Sequence, residues 1–140
     1  MAKISFITIG NELLKGTIVN TNASHTGQLL RKYGYSLDQV VMIKDGREEI
    51  MQALEQEWAS HDIVLMSGGL GPTKDDITKF TLAEFFDSDW VMHEPTLAHL
   101  EKRYTASGRT LNELTRLQAK VPSVCEVVPN VIGTAPGMTF

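Results

Sequence analysis

The 140-residue chain predicts an α/β fold, a mostly parallel sheet with helices on both faces. Two observations carry that expectation. Strand-like stretches that alternate or run apolar are separated by stretches of helical periodicity, the order that parallel βαβ units impose. The run Ile63-Val64-Leu65-Met66 is apolar throughout, as expected of a strand covered on both faces. The length is that of one domain over residues 1–140, near the usual range of about 100–150 residues.

Residues 3–9 alternate and are rich in β-branched and aromatic types, which predicts the first strand. A polar loop from Gly10 to Gly16 follows. Asn20 or Thr21 caps a helix to about Tyr33, with Ala23, Leu30 and Tyr33 on its inner face. Residues 35–43 form a second strand, and a helix over about 46–60 aligns Ile50, Leu54 and Trp58. The third strand is the apolar run at 63–66. A helix is predicted over about 75–86 and a short strand at 89–92. Pro95 opens another helix, with Leu97, Leu100 and Tyr104 at helical spacing. Thr110 and Glu113 read as a capping box for a helix carrying Leu111, Leu114 and Leu117. Residues 124–128 read as a strand, and 131–137 as a Gly/Pro loop.

Composition narrows the function classes. Thirteen basic against seventeen acidic side chains give a net charge of -4, which argues against a nucleic-acid footprint. No apolar run reaches the roughly 18–20 residues of a membrane span, and the amino-terminal residues lack a signal-peptide core. A lone Cys125 excludes an internal disulfide and suits a reducing compartment, so a cytoplasmic location is expected.

Parallel sheets bind ligands beyond the carboxyl ends of their strands, which directs attention to three loops. The loop after the third strand holds Gly68, Gly69 and Gly71 around Leu70, followed by Thr73 and Lys74. Its glycines let backbone N–H groups approach an anion, and the next helix adds its positive end. It is neither a Walker A loop nor a dinucleotide fingerprint, and a tight strand–helix turn alone would also use these glycines. Asp75 and Asp76 stand where that helix is expected to start. They suit a divalent cation beside a phosphate, and Thr73 with Asp76 suits a capping box equally. Asp45, after the second strand, faces the same choice, with Glu48 as its capping partner. Glu12, Asn20 and Asn22 in the first loop suit a sugar, a pterin edge or a phosphate, while turn and capping chemistry is the simpler reading of Asn20.

Other candidates are weaker. His25, His61, His93 and His99 lack metal-ligand spacing and read as surface histidines. Ser67 has no nucleophile elbow, Cys125 sits in an apolar strand, and Lys74 and Lys79 are either phosphate contacts or solvated helix ends.

The blocks Gly10-Asn11-Glu12-Leu13-Leu14, Gly16, Asn20-Thr21-Asn22, Gly68 to Thr78 (GGLGPTKDDIT) and Gly133-Thr134-Ala135-Pro136-Gly137 together resemble the competence/damage-inducible protein A (CinA) family. The resemblance runs in order along nearly the whole chain. It implies a three-layer α/β/α sandwich of the molybdopterin-binding fold shared with MogA and MoaB, and a homo-oligomer. It further implies that Asp45 and Asp76 are the conserved acids, catalytic and metal-holding, with Thr78 beside them. The implied ligands are a nucleotide or pterin phosphate, molybdopterin included. The implied reaction is Mg²⁺-dependent cleavage of the ADP-ribose diphosphate, and the alternative is a non-catalytic binding module or an oligomerisation scaffold.

Three positions depart from the family pattern. Asn11 replaces a threonine, Phe80 a glutamate, and Val131 a proline. The family continues past Gly137 into a further strand, expected to begin at Met138, and often into an amidase domain. On that comparison the chain is expected to be a fragment of a longer polypeptide.

Overall fold

A computed structural model describes residues 2–140. The chain divides into two compact units, one up to Gly69 and one from Leu70 onward.

The first unit is built on β1 (Ile4–Ile9), β2 (Gln39–Ile43) and β3 (Ile63–Ser67), all parallel, in the order β2-β1-β3. The short α1 (Asn11–Leu14) and then α2 (Thr21–Lys32) connect β1 to β2, and α3 (Arg47–Ser60) connects β2 to β3. The two crossovers run in opposite directions across the sheet, so right-handed connections put α2 and α3 on opposite faces. The expected mixed α/β architecture with a parallel sheet is present.

Burial inverts one expectation. The alternating strand β1 is buried at every position, whereas in the apolar run of β3 Ile63 is exposed and the rest half-buried. The cause is sheet order: β1 is flanked by strands on both sides and β3 on one. Ile7, Ile50 and Leu54 are at most 1% exposed and form the centre of this unit's core. Burial of each such side chain favours folding by about 1.5–3 kcal/mol. Within β1, Ser5 and Thr8 are buried too, and Thr8 Oγ1 donates to Val41 O at 3.2 Å, so its hydroxyl is satisfied by the neighbouring strand. On α2 the inner face is Ala23, Thr26, Gly27 and Leu30, while Tyr33 is exposed.

At the end of α3 the expectation of surface histidines fails for His61. Its Nδ1 lies 3.1 Å from Glu57 Oε2, and both side chains are buried. Gln39 Nε2 donates to the other Glu57 oxygen at 3.1 Å. A carboxylate and an imidazole four residues apart share one helix face, which is what brings them together.

The second unit contains α4 (Thr78–Phe85), β4 (Trp90–Met92), α5 (Glu94–Ala106), α6 (Glu113–Arg116), β5 (Lys120–Pro122), β6 (Glu126–Val128) and β7 (Gly137–Thr139). Its strands pair antiparallel, β4 with β5 and β6 with β7. Leu97, Leu100 and Ala119 form its core cluster, with Met92 and Leu111 against it. The cap of α6 is Asn112, whose Oδ1 accepts from Thr115 N–H at 2.8 Å, rather than Thr110. Strand β5 was not legible, being three residues of which one is proline. A strand does begin at Gly137, where the resemblance placed one near Met138. No helix among the described residues is long and apolar enough to cross a membrane.

Replacing His61 with alanine leaves the buried Glu57 carboxylate short of a partner. The expected loss is about 2 kcal/mol of stability, read from urea unfolding, and a double change with Glu57→Gln is expected to lose less than the two single changes combined.

Candidate functional site

Every loop singled out in the first unit lies at the carboxyl end of the sheet. In the order β2-β1-β3 the switch point falls between β1 and β3, where such sheets open a crevice. Gly10 follows β1, and its N–H donates to Ile43 O at 3.0 Å. The N–H of Asn11 donates to Asp45 Oδ2 at 3.1 Å, tying the loop after β1 to the loop after β2. Asp45 therefore does not cap α3, whose cap Gly46 makes no side-chain bond. Glu12 is exposed, and its carboxylate folds back over Gly10, where a Cβ would stand 2.4 Å from Oε1.

Asn20 and Asn22 are structurally engaged. Asn20 Oδ1 accepts from Ala23 N–H at 3.2 Å, capping α2, and its Nδ2 donates to Thr8 Oγ1 at 3.1 Å. Asn22 Nδ2 donates to Ser67 Oγ at 2.8 Å, binding the start of α2 to the end of β3. The paired asparagines thus anchor the helix to two strands, and Ser67 and Thr8 are partners that the sequence reading missed. Their one signal is a small polar residue in an otherwise apolar strand.

Gly68 turns the chain out of β3 at a φ of 109°, and a Cβ there would lie 2.1 Å from Ile9 O. Gly69 follows with φ 65°. Both conformations favour glycine, and at Gly68 the backbone of β1 forbids a side chain as well.

In the second unit the loop from Leu70 to Ile77 closes on itself. The Thr73 N–H and hydroxyl donate to Asp76 Oδ2 at 2.9 and 2.5 Å, and Asp76 N–H returns a bond to Thr73 O at 3.1 Å. A Cβ at Gly71 would stand 2.6 Å from Asp76 Oδ2, so the glycine leaves room for the carboxylate. This bonding has the pattern of a capping box, yet α4 begins only at Thr78, with Ile77 as a cap that makes no side-chain bond. The clasp belongs to the loop. Burial disfavours ionisation of Asp76, but hydrogen bonds from the Thr73 hydroxyl, Thr73 N–H and Gly71 outweigh it and hold the carboxyl below its usual range.

Thr78 is buried in the first turn of α4, and Lys74 and Asp75 are exposed. Lys79 is neither a phosphate contact nor a solvated end. Its Nζ donates to Leu117 O at 3.0 Å and to Lys120 O at 2.6 Å. Burial lowers this ammonium to about 8. Phe80, exposed, leans on Trp90 with ring centroids 5.2 Å apart.

Magnesium suits part of this donor set. It is commonly held by one or two carboxylates together with substrate phosphates and waters. Asp76 offers hard, ionised oxygen in a loop of glycines. Among the described residues no group of three or more His, Cys, Asp or Glu stands ready to hold a metal, so the set fits an ion that arrives with a phosphate. Asp45 and Asp76 belong to different units.

Two outcomes follow from this geometry. Gly68→Ala is expected to destabilise the fold by more than about 1 kcal/mol, seen as a lower unfolding midpoint. Thr73→Val, losing the hydroxyl, is expected to raise the Asp76 pKa toward its ordinary value in a carboxyl-carbon NMR titration. The lowered value means the clasp stabilises the loop at neutral pH and loses that effect as pH falls through the folded pKa.

Comparison with known proteins agrees with the resemblance. Residues 5–139 match the family described as a probable molybdopterin binding domain. A CinA-like protein of Cytophaga hutchinsonii is 44% identical over 134 residues, covering 96% of this chain and 32% of the relative. A putative competence-damage inducible protein of Clostridium botulinum is 41% identical over 135 residues, covering 96% of this chain and 33% of the relative. The chain thus spans about a third of the length of these curated relatives. Among solved structures, the CinA protein of Thermoplasma acidophilum superposes with a TM-score of 0.86 at 38% identity, covering 98% of this chain and 80% of that one. MoaB of Thermus thermophilus shares the fold, with a TM-score of 0.59 at 20% identity over 71% of this chain and 64% of that one. With its family model matched almost end to end, the chain belongs to the molybdopterin-binding-domain family in its CinA-like branch.

Proposed function

We propose that the chain binds a phosphate-bearing nucleotide or pterin at the Gly68–Gly71 loop and cleaves the diphosphate of ADP-ribose with a divalent metal, Mg²⁺ being the natural choice. One observation carries this reading: an ionised carboxylate, Asp76, is clasped into a glycine-rich anion loop. A carboxylate repels a phosphate placed beside it, and a divalent cation between them turns that repulsion into attraction. When bound, such an ion neutralises charge that builds on the phosphate oxygens.

The chain's own residues supply the rest. The N–H groups of Gly69, Leu70 and Gly71 donate to phosphate oxygens, where preorganised donors stabilise developing charge. Asp76 holds the ion through its carboxylate, and Thr73 keeps that carboxylate oriented and ionised. Lys74, exposed in the same loop, contacts phosphate. The net charge of -4 and the lone Cys125 support small-molecule chemistry in a reducing, cytoplasmic setting.

A second reading, binding without hydrolysis, is favoured by Phe80. The resemblance implies an acid there, and an aromatic ring can neither hold a metal nor move a proton.

Incubation with ADP-ribose and Mg²⁺ is expected to release AMP, and Asp76→Asn is expected to lower that rate by at least about a hundredfold. Saturable binding without AMP release establishes the second reading, and the absence of both removes the phosphate site.

A further inference from the structure

Phe80 has no part in phosphate binding as proposed above, yet it is held in place. Single exposed apolar side chains are ordinary on protein surfaces; this one is 57% exposed and braced by a second ring. Phe80 and Trp90 lie 5.2 Å apart between centroids, tilted by 49°. The ammonium groups of Lys79 and Lys120 each lie 5.9 Å from the Trp90 ring centre, within reach of its electron-rich face. Lys79 is in turn anchored to the carbonyls of Leu117 and Lys120. The start of α4, strand β4 and the segment 117–120 are therefore tied into one patch. A ring braced in this way loses little freedom when a ligand covers it.

The surface chemistry of the patch is specific. An exposed aromatic ring beside lysine charge suits a flat heteroaromatic group attached to an anion. Phe80 follows Asp76 by four residues, at most about 14 Å of chain, a span within reach of one nucleotide. The charged groups against the Trp90 ring, Lys79 and Lys120, are both cationic.

We propose that Phe80, backed by Trp90, stacks on the heteroaromatic ring of the phosphate-bearing ligand and selects such ligands over bare sugar phosphates. The inference rests on the phosphate reading of the Gly68–Gly71 loop and adds a recognition element to it. A glutamate at this position offers charge to a metal or water; phenylalanine offers a face to a ring.

Trp58→Phe leaves Trp90 as the one tryptophan reporter. This protein is titrated with ADP-ribose, with neopterin phosphate and with ribose 5-phosphate, each in Mg²⁺. Saturable quenching of Trp90 by a ring-bearing ligand, and binding about tenfold tighter than ribose 5-phosphate, are expected. The stronger of the two ring-bearing ligands tells a purine nucleotide from a pterin. Phe80→Ala is expected to remove that tenfold advantage and leave ribose 5-phosphate binding unchanged, and Phe80→Tyr to keep the advantage. If ribose 5-phosphate binds and the ring adds nothing, the stacking proposal is overturned while the phosphate site stands. If none of the three ligands binds, the phosphate reading falls and the stacking proposal falls with it. An unchanged ADP-ribose affinity in Phe80→Ala, accompanied by a change in sedimentation, overturns the proposal in favour of a contact between copies of the chain.

Discussion

The close approach of Gly68 to the carbonyl of Ile9 is the constraint on which the candidate site depends. At that point the chain leaves β3 with a left-handed φ, and its backbone lies where a Cβ would stand 2.1 Å from the neighbouring strand's oxygen. Only glycine satisfies both conditions. The contact brings the end of β3 against the end of β1, at the switch point of the parallel sheet. Asn22 reinforces it through Ser67, and Asn20 through Thr8. The glycine loop starts from a fixed place because these small and amide side chains leave it no other.

Charge gives the loop its chemical character. A loop of backbone N–H groups alone would suit any anion. Folding the Asp76 carboxylate onto it, with Thr73 supplying two donors and Gly71 the space, sets a negative charge among those groups. On the proposed reading this arrangement selects for phosphate together with a divalent cation over phosphate alone. The same pairing of a small residue with a folded-back carboxylate occurs at Gly10 and Glu12. In both places the glycine leaves room for a carboxylate that a Cβ would have to displace.

Much of this was legible in the residues. The strands β1, β2 and β3 and the helices α2 and α3 followed from periodicity, because each has an apolar face that must be buried. The Asn20 cap was readable because an asparagine before a helix has few other uses. Burial order was not: whether β1 or β3 is the covered strand depends on pairing, which no local window contains. The capping boxes misled for a related reason. Thr73 and Asp76 do bond as a box does, but the helix begins two residues beyond Asp76, and Asn112 took the role given to Thr110. The burial of His61 depended on Glu57 and Gln39, partners from two different elements. Phe80 was visible as a departure from the family, and its pairing with Trp90 across ten residues was not.

The central claim is that Asp76 makes phosphate binding depend on a divalent cation, and calorimetry tests it most directly. Inorganic pyrophosphate is titrated into the native chain and into Asp76→Asn, each with Mg²⁺ and with a chelator. The account predicts that Mg²⁺ strengthens binding to the native chain by at least about tenfold, the effect of roughly 1.4 kcal/mol. It predicts that Asp76→Asn abolishes this gain while binding metal-free pyrophosphate more tightly than the native chain does, since the repelling charge is gone. Equal affinities with and without Mg²⁺ in the native chain, or an Asp76→Asn protein that keeps the full gain, would contradict it.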